Sequence, residues 1–83
     1  MIYKKIEKEY RKMKNGYLFS NGIGLNELAF QIWSMCENVS EEQLIKKVFD
    51  MYNPQSEEDK NLIQSDVVTC LNDLFESDLV ERE

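Results

Sequence analysis

The stretch from Leu25 to Val80 constrains the fold more than any other part of the chain, because its apolar residues recur at helical spacing in three successive blocks. Asn26 is a good N-cap, and Glu27 falls in the first turn, where an acid faces the positive end of the helix dipole. Leu28, Ala29, Ile32, Trp33 and Cys36 then share one face, which predicts a helix over roughly 26–38. Ser40-Glu41-Glu42-Gln43 is a capping box, in which serine and glutamine each satisfy a backbone N–H of the other. It opens a second helix, 40–52, whose apolar face is Leu44, Ile45, Val48, Phe49, Met51 and Tyr52. Asn53-Pro54 ends it, since proline disfavours helix in the residue before it. Ser56 or a neighbour caps a third helix, 57–77, carrying Ile63, Val67, Cys70, Leu71 and Leu74, flanked by Val68 and Phe75. Leu79-Val80 returns to the core, and Glu81-Arg82-Glu83 is expected to fray.

Ahead of the helices, Asn15-Gly16 is the best turn signal in the chain. Ile2 to Met13 alternates imperfectly and reads as a strand over roughly 5–13, with Tyr17-Leu18-Phe19 as its partner. Ser20-Asn21-Gly22 makes a second turn and Ile23-Gly24-Leu25 a third short strand. Gly24 is thinly covered, the kind of strand position where a bulge forms or another backbone comes close. The expected fold is α+β and winged helix-turn-helix-like: a three-stranded antiparallel sheet followed by three helices, in one domain spanning 1–83.

An 83-residue chain is near the lower end of what one hydrophobic core holds together. Its 42% apolar content, with four Phe, four Tyr and one Trp, supports such a core and argues against global disorder. No apolar run approaches the ~20 residues needed to span a bilayer. Cys36 and Cys70 both fall on apolar faces with no signal peptide before them, so they read as reduced thiols of a cytoplasmic protein, a disulfide between them being the alternative.

The net charge is −6 and unevenly placed. Residues 1–14 carry Lys4, Lys5, Lys8, Arg11, Lys12 and Lys14 against Glu7 and Glu9, whereas residues 15–83 carry four cations and fourteen acids. Such an acidic body repels duplex DNA over most approach angles. The basic start reads either as a nucleic-acid arm or as the solvated side of an edge strand. Interleaving with Ile6, Tyr10 and Met13 favours the edge strand.

Chemistry is sparse. The chain has no histidine, which removes the commonest general base, any Ser-His or Cys-His pair and the usual zinc ligands. Its two cysteines lack metal-site spacing, and Gly22-Ile23-Gly24 is too short for a phosphate loop. Glu41-Glu42 and Glu57-Glu58-Asp59 are explained by helix first turns. No catalysis, metal or cofactor is expected. Trp33 reads as a core residue; Phe30, off the apolar stripe, either wraps over a loop or marks a contact surface.

The third helix is the most suggestive element, its apolar arc being wider than the ~100° that seals one face against a core. The surplus leaves a groove wall or a homodimer surface. Asp59, Asp66 and Asp73 repeat every seven residues beside Ile63 and Cys70. They read as an ordinary solvated face, or as an acidic rail beside an apolar trough suited to a peptide with an apolar anchor and nearby Lys or Arg. Grooves of this kind take extended peptides by strand addition.

Leu25-Asn26, Ala29, Ile32-Trp33, Val39, Leu44-Ile45, Asp66-Val67, Leu71, Leu74 and Leu79-Val80 together form a pattern, over about residues 15–81, that resembles the PqqD-like family. Members of that family are peptide chaperones that recognise the leader of a ribosomally made, later modified precursor. The resemblance implies a leader docked as an extra antiparallel strand on the third strand, against the third helix. Here that points to Ile23, Gly24 and Leu25 with Val67, Cys70, Leu71 and Leu74, beside the rail of Asp66 and Asp73. The chain departs from the pattern in having Asp78 where a glycine often ends the third helix, few prolines and no fused enzyme. Its stand-alone length resembles the small partner proteins of lasso-peptide clusters, and equally fits a partner of a radical-SAM peptide-modifying enzyme. The implied partners are a precursor peptide and a modifying enzyme or leader peptidase, with no nucleic acid and no membrane. The competing readings are a small winged-helix DNA-binding regulator and a dimerisation domain. Against the regulator, the third helix offers Lys60 alone against six acids from Glu57 to Glu76.

Overall fold

Each helix of the computed structural model, which describes residues 1–83, begins where a side chain caps it. For α1 (Glu27–Ser34) the Asn26 side chain accepts from the Ala29 N–H at 2.8 Å. For α2 (Glu41–Tyr52) the Gln43 N–H donates to the Ser40 hydroxyl at 3.1 Å, and the Ser40 N–H donates to the Gln43 side chain at 2.8 Å. For α3 (Glu57–Glu76) the Ser56 hydroxyl accepts from the Asp59 N–H at 3.1 Å. These caps satisfy donors that have no partner inside the helix.

The far end of α3 is closed by backbone. Asp78 has φ 57, its N–H donates to the Phe75 carbonyl at 3.2 Å, and the Leu79 N–H donates to the Leu74 carbonyl at 2.9 Å. This is the Schellman pair of bonds, and Leu74 and Leu79, both buried, supply its apolar contact. Asp78 thus does the work usually given to glycine, in a left-handed conformation that aspartate tolerates better than most residues.

Six short strands form two antiparallel sheets: β1 (Ile2–Lys5), β2 (Tyr10–Met13), β3 (Gly16–Phe19), β4 (Gly24–Leu25), β5 (Glu37–Ser40) and β6 (Val80–Arg82). The meander β2-β3-β4 is the sheet the turn signals predict, with Tyr17 opposite Leu25 and Leu18 opposite Gly24. The second sheet, β5-β1-β6, is absent from the sequence reading and corrects it in three places. The strand expected over 5–13 is two strands in different sheets, separated at residues 6–9. The first helix stops at Ser34 rather than near 38, because Glu37–Ser40 leaves to pair with β1. The tail expected to fray is β6, and Glu83 and Ile2 exchange both backbone bonds at 2.9 Å. Asn38, at φ 58, sits where the β1–β5 register slips between Tyr3 and Lys4.

The core joins all three helices to both sheets. Ile32 and Trp33 of α1, Leu44 and Val48 of α2, and Val67, Leu71 and Leu74 of α3 meet Phe19, Tyr3, Val39, Leu79 and Val80. Nothing polar or charged is buried with them. The Trp33 indole N–H donates to the Leu79 carbonyl at 2.8 Å, satisfying the one polar atom this large ring brings inside. Phe30, half-buried, stacks on Tyr17 at 3.7 Å between centroids, so the residue off the stripe fastens α1 to the meander. Arg11 and Lys12 lie exposed on β2, an edge of its sheet, in agreement with the edge-strand reading of part of the basic start. No helix is long and apolar enough to cross a membrane.

Candidate functional site

The site begins with the hairpin that carries β4. The Gly22 N–H donates to the Phe19 carbonyl, the Phe19 N–H donates to the Ile23 carbonyl, both at 2.9 Å, and Gly22 takes φ 87. A three-residue loop of this kind needs a left-handed residue at its end, which glycine supplies without strain. Phe19 and Ile23 are therefore a hydrogen-bonded pair, and antiparallel alternation makes Tyr17 and Leu25 the next one. Gly24, between them, turns both its N–H and its C=O away from β3. Because β4 is the outer strand of its sheet, those two groups face open space.

Glycine has a second use nearby, at a position other than the one the sequence suggests. A Cβ on Gly16 would collide with the Leu25 carbonyl, so Gly16 is what lets β4 close onto β3. A Cβ on Gly24 would meet only the Tyr17 carbonyl, at 3.9 Å. The close backbone approach therefore belongs to Gly16.

Between β4, the start of α1 and the C-terminal half of α3 runs a cleft of about 600 Å³. At one end Asn21 bridges the β3–β4 turn to the end of α3, donating to the Ser77 carbonyl at 2.9 Å while its own oxygen accepts from the Ile23 N–H at 3.2 Å. Ile23, Gly24 and Leu25 line one wall, and Asp66, Cys70, Asp73 and Leu74 the other. The structure thus brings together seven of the nine predicted site residues. Val67 and Leu71 are not among them: at 1% and 0% exposure they lie in the core beneath the α3 wall. Asn26, Leu28, Thr69 and Glu76 also line the cleft and are missing from the sequence reading. Leu28 was hidden by its place in the apolar stripe of α1, of which it forms the half-buried margin.

Spacing of three, four and seven puts Asp66, Cys70 and Asp73 on one side of α3. None of Asp66, Asp73 and Glu76 has an ion-pair partner, the only ion pairs being those of Lys5 with Glu7 at 3.6 Å and Glu37 at 3.4 Å. The rim is therefore uncompensated negative charge beside apolar surface. Burial, and then the Asp73 carboxylate, push the Cys70 thiol up to about 11. Burial, and then nearby Cys70, push Cys36 up to about 12 against the opposing effect of Lys5. Both cysteines are free, and as neutral thiols at ordinary pH they behave as small apolar groups, not nucleophiles. No group of three His, Cys, Asp or Glu side chains is placed to hold a metal ion. The arrangement suits gripping an extended chain through backbone hydrogen bonds, side-chain burial and charge. No family model, curated protein or solved structure matches the chain.

Proposed function

We propose that this chain is a non-catalytic peptide-binding module, winged helix-turn-helix-like in design, that captures an extended peptide as an added strand on β4. The observation that carries the reading is Gly24, with both main-chain groups turned outward at the lip of an acid-rimmed cleft. A peptide strand bonded to Gly24 directs the side chain opposite Gly24 to the Leu18 face and its two neighbours toward α3. Leu25 and Cys70, both half-buried, then give those neighbours apolar surface with buried Leu74 behind them, while Asp66 and Asp73 favour Lys or Arg. With the resemblance to the PqqD-like family, the peptide is the unmodified leader of a ribosomally made precursor. The chain presents it to a modifying enzyme or leader peptidase.

Calorimetric titration with the leader of a precursor encoded beside this gene tests the reading. Gly24→Pro removes the outward N–H and sets a ring at the lip, without touching a bond that β3 uses. Binding is expected to be lost in that variant while the fold persists. Asp66→Lys and Asp73→Lys should weaken binding mainly by slowing association, less so at high salt. No binding by the parent chain, or unchanged affinity in Gly24→Pro, would remove the proposal.

A second reading, a small winged-helix DNA-binding regulator, draws support from the exposed Arg11 and Lys12 on β2. The acidic α3 opposes it, since a recognition helix needs Lys or Arg toward the bases. A sequence-specific gel shift abolished by Lys12→Glu would put this reading first.

A further inference from the structure

The cleft does not end at Asp66. Leu28 and Asp66 also line a smaller pocket of about 190 Å³, whose other walls are Val48 and Tyr52 of α2 and Ile63 and Val67 of α3. Asp66 is the only acid in it, and five of its six lining residues are hydrophobic. An apolar cavity of about 150 Å³ is enough to hold a benzene ring, so this one has room for a branched aliphatic or aromatic side chain. We infer that the bound peptide fills it with an apolar anchor, about three residues N-terminal to the residue paired with Gly24. This rests on the peptide-binding reading above and adds the chemistry of the peptide it selects.

The position follows from two lengths. Along α3 the pocket centres between Ile63 and Val67, and the cleft wall between Cys70 and Asp73. At 1.5 Å per helical residue the two centres lie about 10 Å apart, which an extended peptide covers in about three residues. The polarity follows from β4, which runs toward α1 and Leu28, so an antiparallel partner has its N-terminal side over the pocket. The charge follows from Asp66, shared by both cavities and lacking any ion-pair partner. It opposes an acidic side chain at the anchor and favours Lys or Arg in the residues between anchor and strand. A second copy laying the same acidic helix over this trough would set like charge against like, so the occupant is a basic, apolar-anchored peptide.

A phage library of random peptides long enough to cover the trough, about twelve residues, is selected on the full chain and counter-selected on Gly24→Pro. Retained peptides should share an apolar residue at the stated offset from a Lys- or Arg-bearing segment. The most enriched peptide is then titrated against the parent chain and Ile63→Phe, which fills the pocket from its rim. Replacing the anchor by Ala, or the Ile63→Phe change, should each weaken binding about tenfold to a hundredfold, with little further loss when combined. Ile63→Phe should not lower the melting temperature, a pattern a merely structural role would not give. Tyr52→Ala, on an exposed rim residue, should act in the same direction with a smaller effect. Retained peptides without an apolar preference, or Ile63→Phe and Tyr52→Ala binding at parental affinity, overturn the anchor and leave strand addition standing. If no peptide distinguishes the chain from Gly24→Pro, both proposals fall. A dimer in sedimentation velocity that Ile63→Phe dissociates would overturn the anchor by assigning the pocket to a second copy.

Discussion

The two sheets have three strands each, yet the chain makes them in opposite ways. β2, β3 and β4 follow one another through tight turns, and only Phe19 among their residues is buried. β5-β1-β6 draws its centre from one end of the chain, one flank from the other end and its second flank from between two helices. It contributes Tyr3, Val39 and Val80 to the core. The non-local sheet therefore closes the domain, and the local one presents edges. This division lets β4 offer an unpaired backbone without endangering the fold, since stability within a small domain is unevenly distributed.

Deleting residues 1–5 attacks the comparison at its strongest point, because β5 and β6 then lose their shared partner. The expected result is loss of the cooperative thermal transition followed by circular dichroism. A sharp melt near the parental temperature would mean that the sheet does not close the domain. Trp33→Phe comes next. It keeps a ring in the core but removes one of the two donors to the Leu79 carbonyl, which still accepts from the Ile6 N–H at 2.9 Å. The expected loss is that of one ordinary hydrogen bond, about 0.5–1.5 kcal/mol in chemical denaturation. An unchanged midpoint would show that the bond adds nothing.

The thiols give the mildest test. Folding raises Cys36 to about 12 and Cys70 to about 11 from an ordinary 9.0. The unfolded chain then gives up these protons at lower pH than the folded one. Their contribution to stability is complete below pH 9 and should decline as pH rises from 9 through 11 and 12. Cys36→Ala and Cys70→Ser should each flatten that decline, and a maleimide should label half-buried Cys70 before Cys36. Equal labelling rates would mean that the cleft side is no more open than the core side.

What was legible in the sequence is what is local. Asn26, Ser40, Gln43 and Ser56 mark the helix starts because a cap acts within three residues, and Asn15-Gly16 marks its hairpin for the same reason. β5 was illegible because a single buried residue, Val39, gives no period, and its pairing with β1 spans more than thirty residues of chain. Cys36 shows the mixture: helical spacing marks it correctly as buried, though the helix ends before reaching it. The cleft was legible as a face of α3 but not in depth. Periodicity places Val67 and Leu71 on the apolar arc with Cys70 and Leu74, and only packing tells which of them lies beneath the wall. Leu28 shows the converse, an apparent core residue that a neighbouring strand leaves half open.

Trp33 is the only tryptophan, and it touches both halves of this divided molecule. Its ring meets Tyr10 of β2 at 5.8 Å and Phe19 of β3 at 4.9 Å, and the Lys5 ammonium at the end of β1 lies 5.2 Å from its centre. Its indole N–H holds the residue just before β6. The chain therefore carries its own optical gauge, one emitter in contact with both sheets. A single step in its emission during unfolding records the sheets parting together, and two steps record them parting in turn. Under the proposed strand addition, a peptide on β4 would lie one strand from β3 and Phe19, which contacts this emitter, so a change in its emission on titration is the expected dye-free signal of binding.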